Sequence, residues 1–274
     1  MNDYKTIFNR LLSIIIHPLI AFVITPLNGL LFGTLLAIKS ADFSWQSITI
    51  WFSFLVLVFL QEKLFDKTNK MKKIVKIITM IITNVLTLIP LIYFWNNFNH
   101  QICYLALIIL LLNHVQLAVT DTSHGLYYYH VIFKTISFYG IGNFIAYYIL
   151  AGAVPANFLT IIIPVFLLAL SLVNIKQKKL TDNSLLKTNY ANYPIQTTLQ
   201  FLLGILPLLV YIIFFVHYHN HFTLIGMIFV SLTLILFLYI KLAAKKSLSQ
   251  KQYLTALQWY LFWFILTYTI CYTI

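Results

Sequence analysis

KIVKIITMIITNVLTLIPLIYFW, Lys73 to Trp95, followed by NNFNH at Asn96 to His100 and by QICYLALIILLLNHVQLAV from Gln101 to Val119, decides the fold class of this chain. From Ile77 to Trp95, and again from Gln101 to Val119, there is no charged residue. Each run has about the 20 apolar residues that a helix needs to cross a hydrocarbon core of ~30 Å. The polar break between them suits a short reversal. A backbone in lipid must satisfy its own hydrogen bonds, so the runs read as two antiparallel membrane helices.

The same pattern extends in both directions. Nine apolar segments emerge, at 12–38, 44–61, 74–95, 101–119, 131–153, 155–174, 196–218, 221–243 and 253–274. The expected fold is therefore all-α, a polytopic membrane helical bundle of about nine transmembrane helices, forming a single domain over 1–274. Pro18 and Pro26 lie inside the long first segment and predict a kink or tilt. Gly152 and Pro155 mark a tight turn between the fifth and sixth.

Composition agrees with this reading. With 61% apolar residues, 9% charged and a mean hydropathy of +0.89, there is too little polar side chain to coat a water-soluble surface. The net charge of +12 would suggest nucleic acid in a soluble protein. Here seventeen of the eighteen Lys and Arg fall in the N-terminal segment or in alternate loops and their edges, Lys39 being the exception. That is the positive-inside pattern, so the cations indicate membrane topology and not a nucleic-acid partner. It puts the N-terminus in the cytoplasm, the C-terminus outside, and the protein in a membrane, read as a bacterial cell membrane. Cys103 and Cys271 sit in apolar stretches without ligand spacing. Asn84, Asn113, Asn143 and Gln200 lie within apolar segments, where interhelical hydrogen bonds are the expected use.

Three stretches resemble a known family. HPLIAFVITPLNGLLFGTLLAIKSADFSW, His17 to Trp45, is similar to the opening of UbiA-type prenyltransferases of the 1,4-dihydroxy-2-naphthoate polyprenyltransferase branch, with Pro26, Gly33, Thr34 and Trp45 in the matching places. YGIGNFIAYYILAG, Tyr139 to Gly152, resembles a segment of the family's fifth span, with Asn143 where the family has an acidic residue. LSLVNIKQKKLTDNSLLKT, Leu170 to Thr188, resembles the loop that carries its second aspartate motif.

The resemblance implies transfer of a polyprenyl group from its diphosphate to an aromatic or other acceptor, as in menaquinone-like biosynthesis. It also implies Mg²⁺ held between motifs of the form NDxxDxxxD and DxxxD, carboxylates being the natural ligands of that ion. On this basis Asp66 and Asp182 are the candidate catalytic residues, with Glu62 joining them as a metal ligand. Asn174, Lys178, Lys179 and Lys187 are candidates for the diphosphate.

The pattern departs at decisive places. Asn174, Asp182 and Lys187 are kept, but Lys178 replaces the first aspartate of DxxxD; in the first motif Thr68 and Asn69 replace Asn-Asp, and Asp66 matches only after a shift. A unit positive charge ~6 Å from Mg²⁺ at an effective dielectric of ~20 costs about 5 kcal/mol where an aspartate would have contributed it. A two-metal site is therefore not expected, and lysines binding diphosphate as point charges are. Two other classes stand beside the transferase. One is a non-catalytic isoprenoid-lipid-binding membrane protein. The other is a small-solute transporter, against which the near absence of charge at mid-span counts.

Overall fold

The computed structural model describes residues 17–39, 43–65, 72–118, 124–182 and 250–273, with isolated positions at 205, 208, 209, 212, 213, 216 and 233. Within the described residues the ordered elements are all helical. They are α1 (Ala21–Asn28), α2 (Leu31–Ile38), α3 (Trp45–Phe65), α4 (Lys73–Asn97), α5 (His100–Ala118), α6 (His124–Lys134), a π segment (Thr135–Ile141), α7 (Gly142–Ala151), α8 (Phe158–Asp182) and α9 (Gln250–Thr273).

Three of these, over Trp45–Leu64, Lys73–Asn97 and Phe158–Lys176, are long and apolar enough to cross a membrane. The pair α1 and α2 adds a fourth if its two arms form one span, bent by 55°. The described helices thus establish three or four membrane-length spans where the sequence predicts nine. The predicted segments 196–218 and 221–243 fall on residues of which only isolated positions are described.

The outer surface is what lipid requires. Along α4, Ile74, Ile78, Ile81, Val85, Ile89 and Ile92 are all exposed. An apolar face of that extent is unfavourable in water and at home among acyl chains. The opposite face of α4 turns Thr83, Thr87, Leu91 and Phe94 inward, against α3 and α5. Large rings fill the middle: buried Trp51 stacks on Phe54 at 5.1 Å and meets Phe94 edge-on at 5.6 Å.

The α1–α2 pair breaks just after the second proline. Pro26 lies inside α1 and offers no N–H to the helix ladder, and three residues on, at the break, Gly29 and Leu30 donate three residues back, to Pro26 and Leu27. The break is also where another helix comes closest. A Cβ at Gly33 would lie 1.9 Å from the carbonyl oxygen of Asn143, so only glycine lets α2 approach α7 this nearly. The turn after α7 follows expectation too: Gly152 has φ of +71° and ends the helix by donating to Tyr148 O at 2.8 Å.

One feature has no sequence precursor. Residues from His124 to Ala151 form 28 residues of unbroken helix, but seven of them wind as a π turn, with Gly142 N–H donating five residues back to Ser137 O. Such departures free backbone groups for side chains to meet, and they favour functional regions.

Candidate functional site

At the end of the bundle where α3, α6 and α8 converge, three charged side chains meet. Glu62 stands near the C-terminal end of α3, Lys134 closes α6, and Lys176 lies late in α8. Lys176 Nζ donates to Glu62 Oε1 at 2.7 Å, and Lys134 Nζ donates to Oε2. The side chains keep 24%, 15% and 17% exposure for Glu62, Lys134 and Lys176. Charge-assisted bonds in so dry a place are strong, and they hold three helices to one another.

The cluster carries a surplus positive charge. Lys63 adds to it from the next position, with Lys63 and Lys176 over the Phe59 ring at 5.5 and 5.7 Å from its centroid. Phe59 in turn meets Phe22 edge-on at 5.6 Å. Cations over ring faces gain quadrupole attraction that partly replaces lost water.

Below this lies a neutral layer. Fully buried Gln61 donates to Asn84 Oδ1 at 2.8 Å and accepts from Asn113 Nδ2 at 3.1 Å, joining α3, α4 and α5. Asn84 and Asn113 thus serve as the interhelical partners the sequence predicts. A second neutral knot surrounds the π segment. Asn143 Nδ2 donates to Tyr139 O at 2.8 Å and to Asn28 O at 3.3 Å, while its Oδ1 accepts from Gly33 N–H at 3.1 Å. Asn28 Nδ2 and the Tyr139 hydroxyl both donate to Gln258 Oε1, at 3.2 and 3.3 Å. Trp51 Nε1 donates to Gly142 O at 3.1 Å.

The predicted site residues divide accordingly. Glu62 is present at the cluster, but each carboxylate oxygen already accepts an ammonium group. Asn174 is buried on α8, two residues before Lys176 and so about 200° round the helix from it. Lys178, Lys179 and Asp182 belong to the last turns of α8, and their side chains lie outside the described residues. Asp66 and Lys187 lie outside them altogether. Glu62 and Lys176 touch, so the C-terminal end of α3 and the late turns of α8 lie at the same end of the bundle.

For Mg²⁺ the described residues are a poor fit. They contain no group of three His, Cys, Asp or Glu side chains placed to hold a metal, and a dication at Glu62 would meet two ammonium groups. Lys134 is the member of the cluster that the sequence motifs do not single out. Its signal was isolation: no other Lys or Arg occurs between Lys76 and Lys176.

No family model, no curated protein and no solved structure matches the chain.

Proposed function

We propose that this chain is a divergent UbiA-like membrane protein that binds a polyprenyl diphosphate by its head group at the Glu62, Lys134 and Lys176 end of the bundle, and acts as a prenyltransferase with lysines in place of a two-metal centre. The observation that carries the reading is the surplus of positive charge at one partly buried end of an otherwise apolar bundle. Nine spans, a cytoplasmic N-terminus, an outer C-terminus and a bacterial cell membrane belong to the same proposal.

In this reading the diphosphate displaces part of the Glu62 contacts and takes ammonium donors in their place, with Lys178, Lys179 and Lys187 supplying further charge from the segment that follows. When the carbon–oxygen bond of the substrate breaks, its electron pair stays on the departing diphosphate. Preorganised cations stabilise that developing charge. The allylic carbon, electron-poor at that moment, is attacked by an electron-rich acceptor, whose displaced proton passes to the departing diphosphate. Ring faces such as that of Phe59 suit a passing cation.

A second reading has its own support. Because both Glu62 oxygens are engaged by lysines, the described site has no free carboxylate to organise a metal or take a proton, which favours a non-catalytic isoprenoid-lipid-binding protein.

The test is purified protein in nanodiscs, incubated with polyprenyl diphosphates and aromatic acceptors, with Mg²⁺ or with a chelator. Binding in both conditions, weakened roughly tenfold by Lys176→Gln, with diphosphate release into solution, is the expected result. Binding without release selects the silent lipid binder. No binding in either condition ends both readings.

A further inference from the structure

A cavity of about 460 Å³ opens on the flank of the bundle, between α5, the π segment with the start of α7, and the first half of α8. Leu105, Ile136, Gly140, Phe144, Ile162 and Phe166 form much of its wall, and among the described residues no polar side chain lines it. Leu159 and Ile163, 70% and 40% exposed, stand at its rim, so the hollow continues the lipid-facing surface inward.

Gly140 deepens it. A Cβ there would lie 3.8 Å from the Phe166 ring and 3.9 Å from Thr135 O, which is ordinary contact, and its φ is not positive. Neither the backbone nor a neighbouring helix excludes a Cβ, in contrast to Gly33 and to Gly142, where a Cβ would fall 2.6 Å from Gly29 O. Glycine inside a helix is destabilising relative to alanine. Here its missing side chain faces the hollow beside Phe166.

We propose that this groove holds one acyl chain of a bilayer phospholipid, with Gly140 setting its depth. The wall offers nothing to a head group, its size is that of a small-ligand pocket, and its open flank admits a chain sideways from the lipid phase. Its distance from the lysines suits a phospholipid of the opposite leaflet, and competition separates that occupant from an isoprenoid long enough to span the gap. The groove lies along the first half of α8, and about 20 Å of helix separates Ile163 from Lys176. A chain whose head sat on the lysines would run that distance before reaching the groove, whereas a phospholipid of the opposite leaflet enters it directly. This site does not depend on the diphosphate reading.

The experiment uses the full chain in phosphatidylcholine and phosphatidylglycerol vesicles, doped with phosphatidylcholine that carries a diazirine in its acyl chain. After photolysis, adducts should concentrate on residues 136–144 and 158–166, and Gly140→Leu should lower them roughly tenfold by filling the hollow. Ile163→Trp, which closes the mouth and leaves the π segment intact, should do the same, while adducts on the exposed face of α4 stay constant. Groove adducts no denser than those on α4, or unchanged in both variants, would overturn the proposal. Displacement of the phosphatidylcholine adducts by a polyprenyl diphosphate would overturn it as well, by making the occupant an isoprenoid. Failure of diphosphate binding leaves it standing.

Discussion

Glu62 is the residue on which the charged end of the bundle depends. Replacing it by Gln leaves Lys134 and Lys176 adjacent without a counter-charge, and breaking a buried pair costs more than making it contributes. Partial exposure moderates the loss, so Glu62→Gln should destabilise the protein by about 2–3 kcal/mol, read as a lower melting temperature in detergent. A triple replacement, Glu62→Leu with Lys134→Met and Lys176→Met, should recover most of that stability while abolishing diphosphate binding. If binding survives the triple replacement, the cluster is scaffold alone. Asn143 makes the complementary case for a neutral residue. Its carboxamide serves Gly33 N–H, Asn28 O and Tyr139 O together, so Asn143→Leu should cost about 2–4 kcal/mol, since at least one buried partner is left unmet. Asn143→Asp tests the acidic residue that the resemblance implies there.

At the scale of elements, two glycines should respond differently to the same methyl group. Gly33→Ala forces α2 away from α7 because a Cβ would overlap Asn143 O, and it should abolish assembly of a monodisperse protein on size exclusion. Gly152→Ala meets open space and only a left-handed backbone, so its cost should be about 1 kcal/mol. The kink at Pro26 and the turn at Gly152 were legible in the sequence, because proline and glycine impose local geometry whatever surrounds them. The π segment was not. It leads into Gly142 and Asn143, which fit against Gly29 and Gly33, groups more than a hundred residues away along the chain, and helical periodicity carries no record of such partners. Lys134 escaped for the same reason: charge asymmetry assigns a lysine to a side of the membrane, not to a glutamate on another helix.

For the whole molecule, the lipid-facing face of α4 gives the sharpest expectation. Ile81→Cys, at a position 58% exposed, should resist a water-soluble maleimide in vesicles and react after detergent solubilisation. Rapid labelling in intact vesicles would place that face in water and remove the membrane architecture. Hydrophobic runs made the helical class and the three or four membrane-length helices readable, since lipid solvation acts on each helix singly. Which helices adjoin is set by small residues and asparagines, whose pairing the sequence does not encode locally.

The Gly33 amide is the third N–H of α2, one of the donors that every helix leaves without a partner inside itself, and its acceptor is supplied by Asn143. During synthesis the bent α1–α2 pair therefore waits for a group translated 110 residues later. Until then its donor has no match in hydrocarbon, at a penalty of several kcal/mol, and the opening segment gains by staying straight, or by staying beside the insertion machinery. A ribosome-stalled chain ending before residue 143 should keep crosslinking to the translocon through its first helix, and one extended far enough past α7 for Asn143 to clear the ribosome should let go.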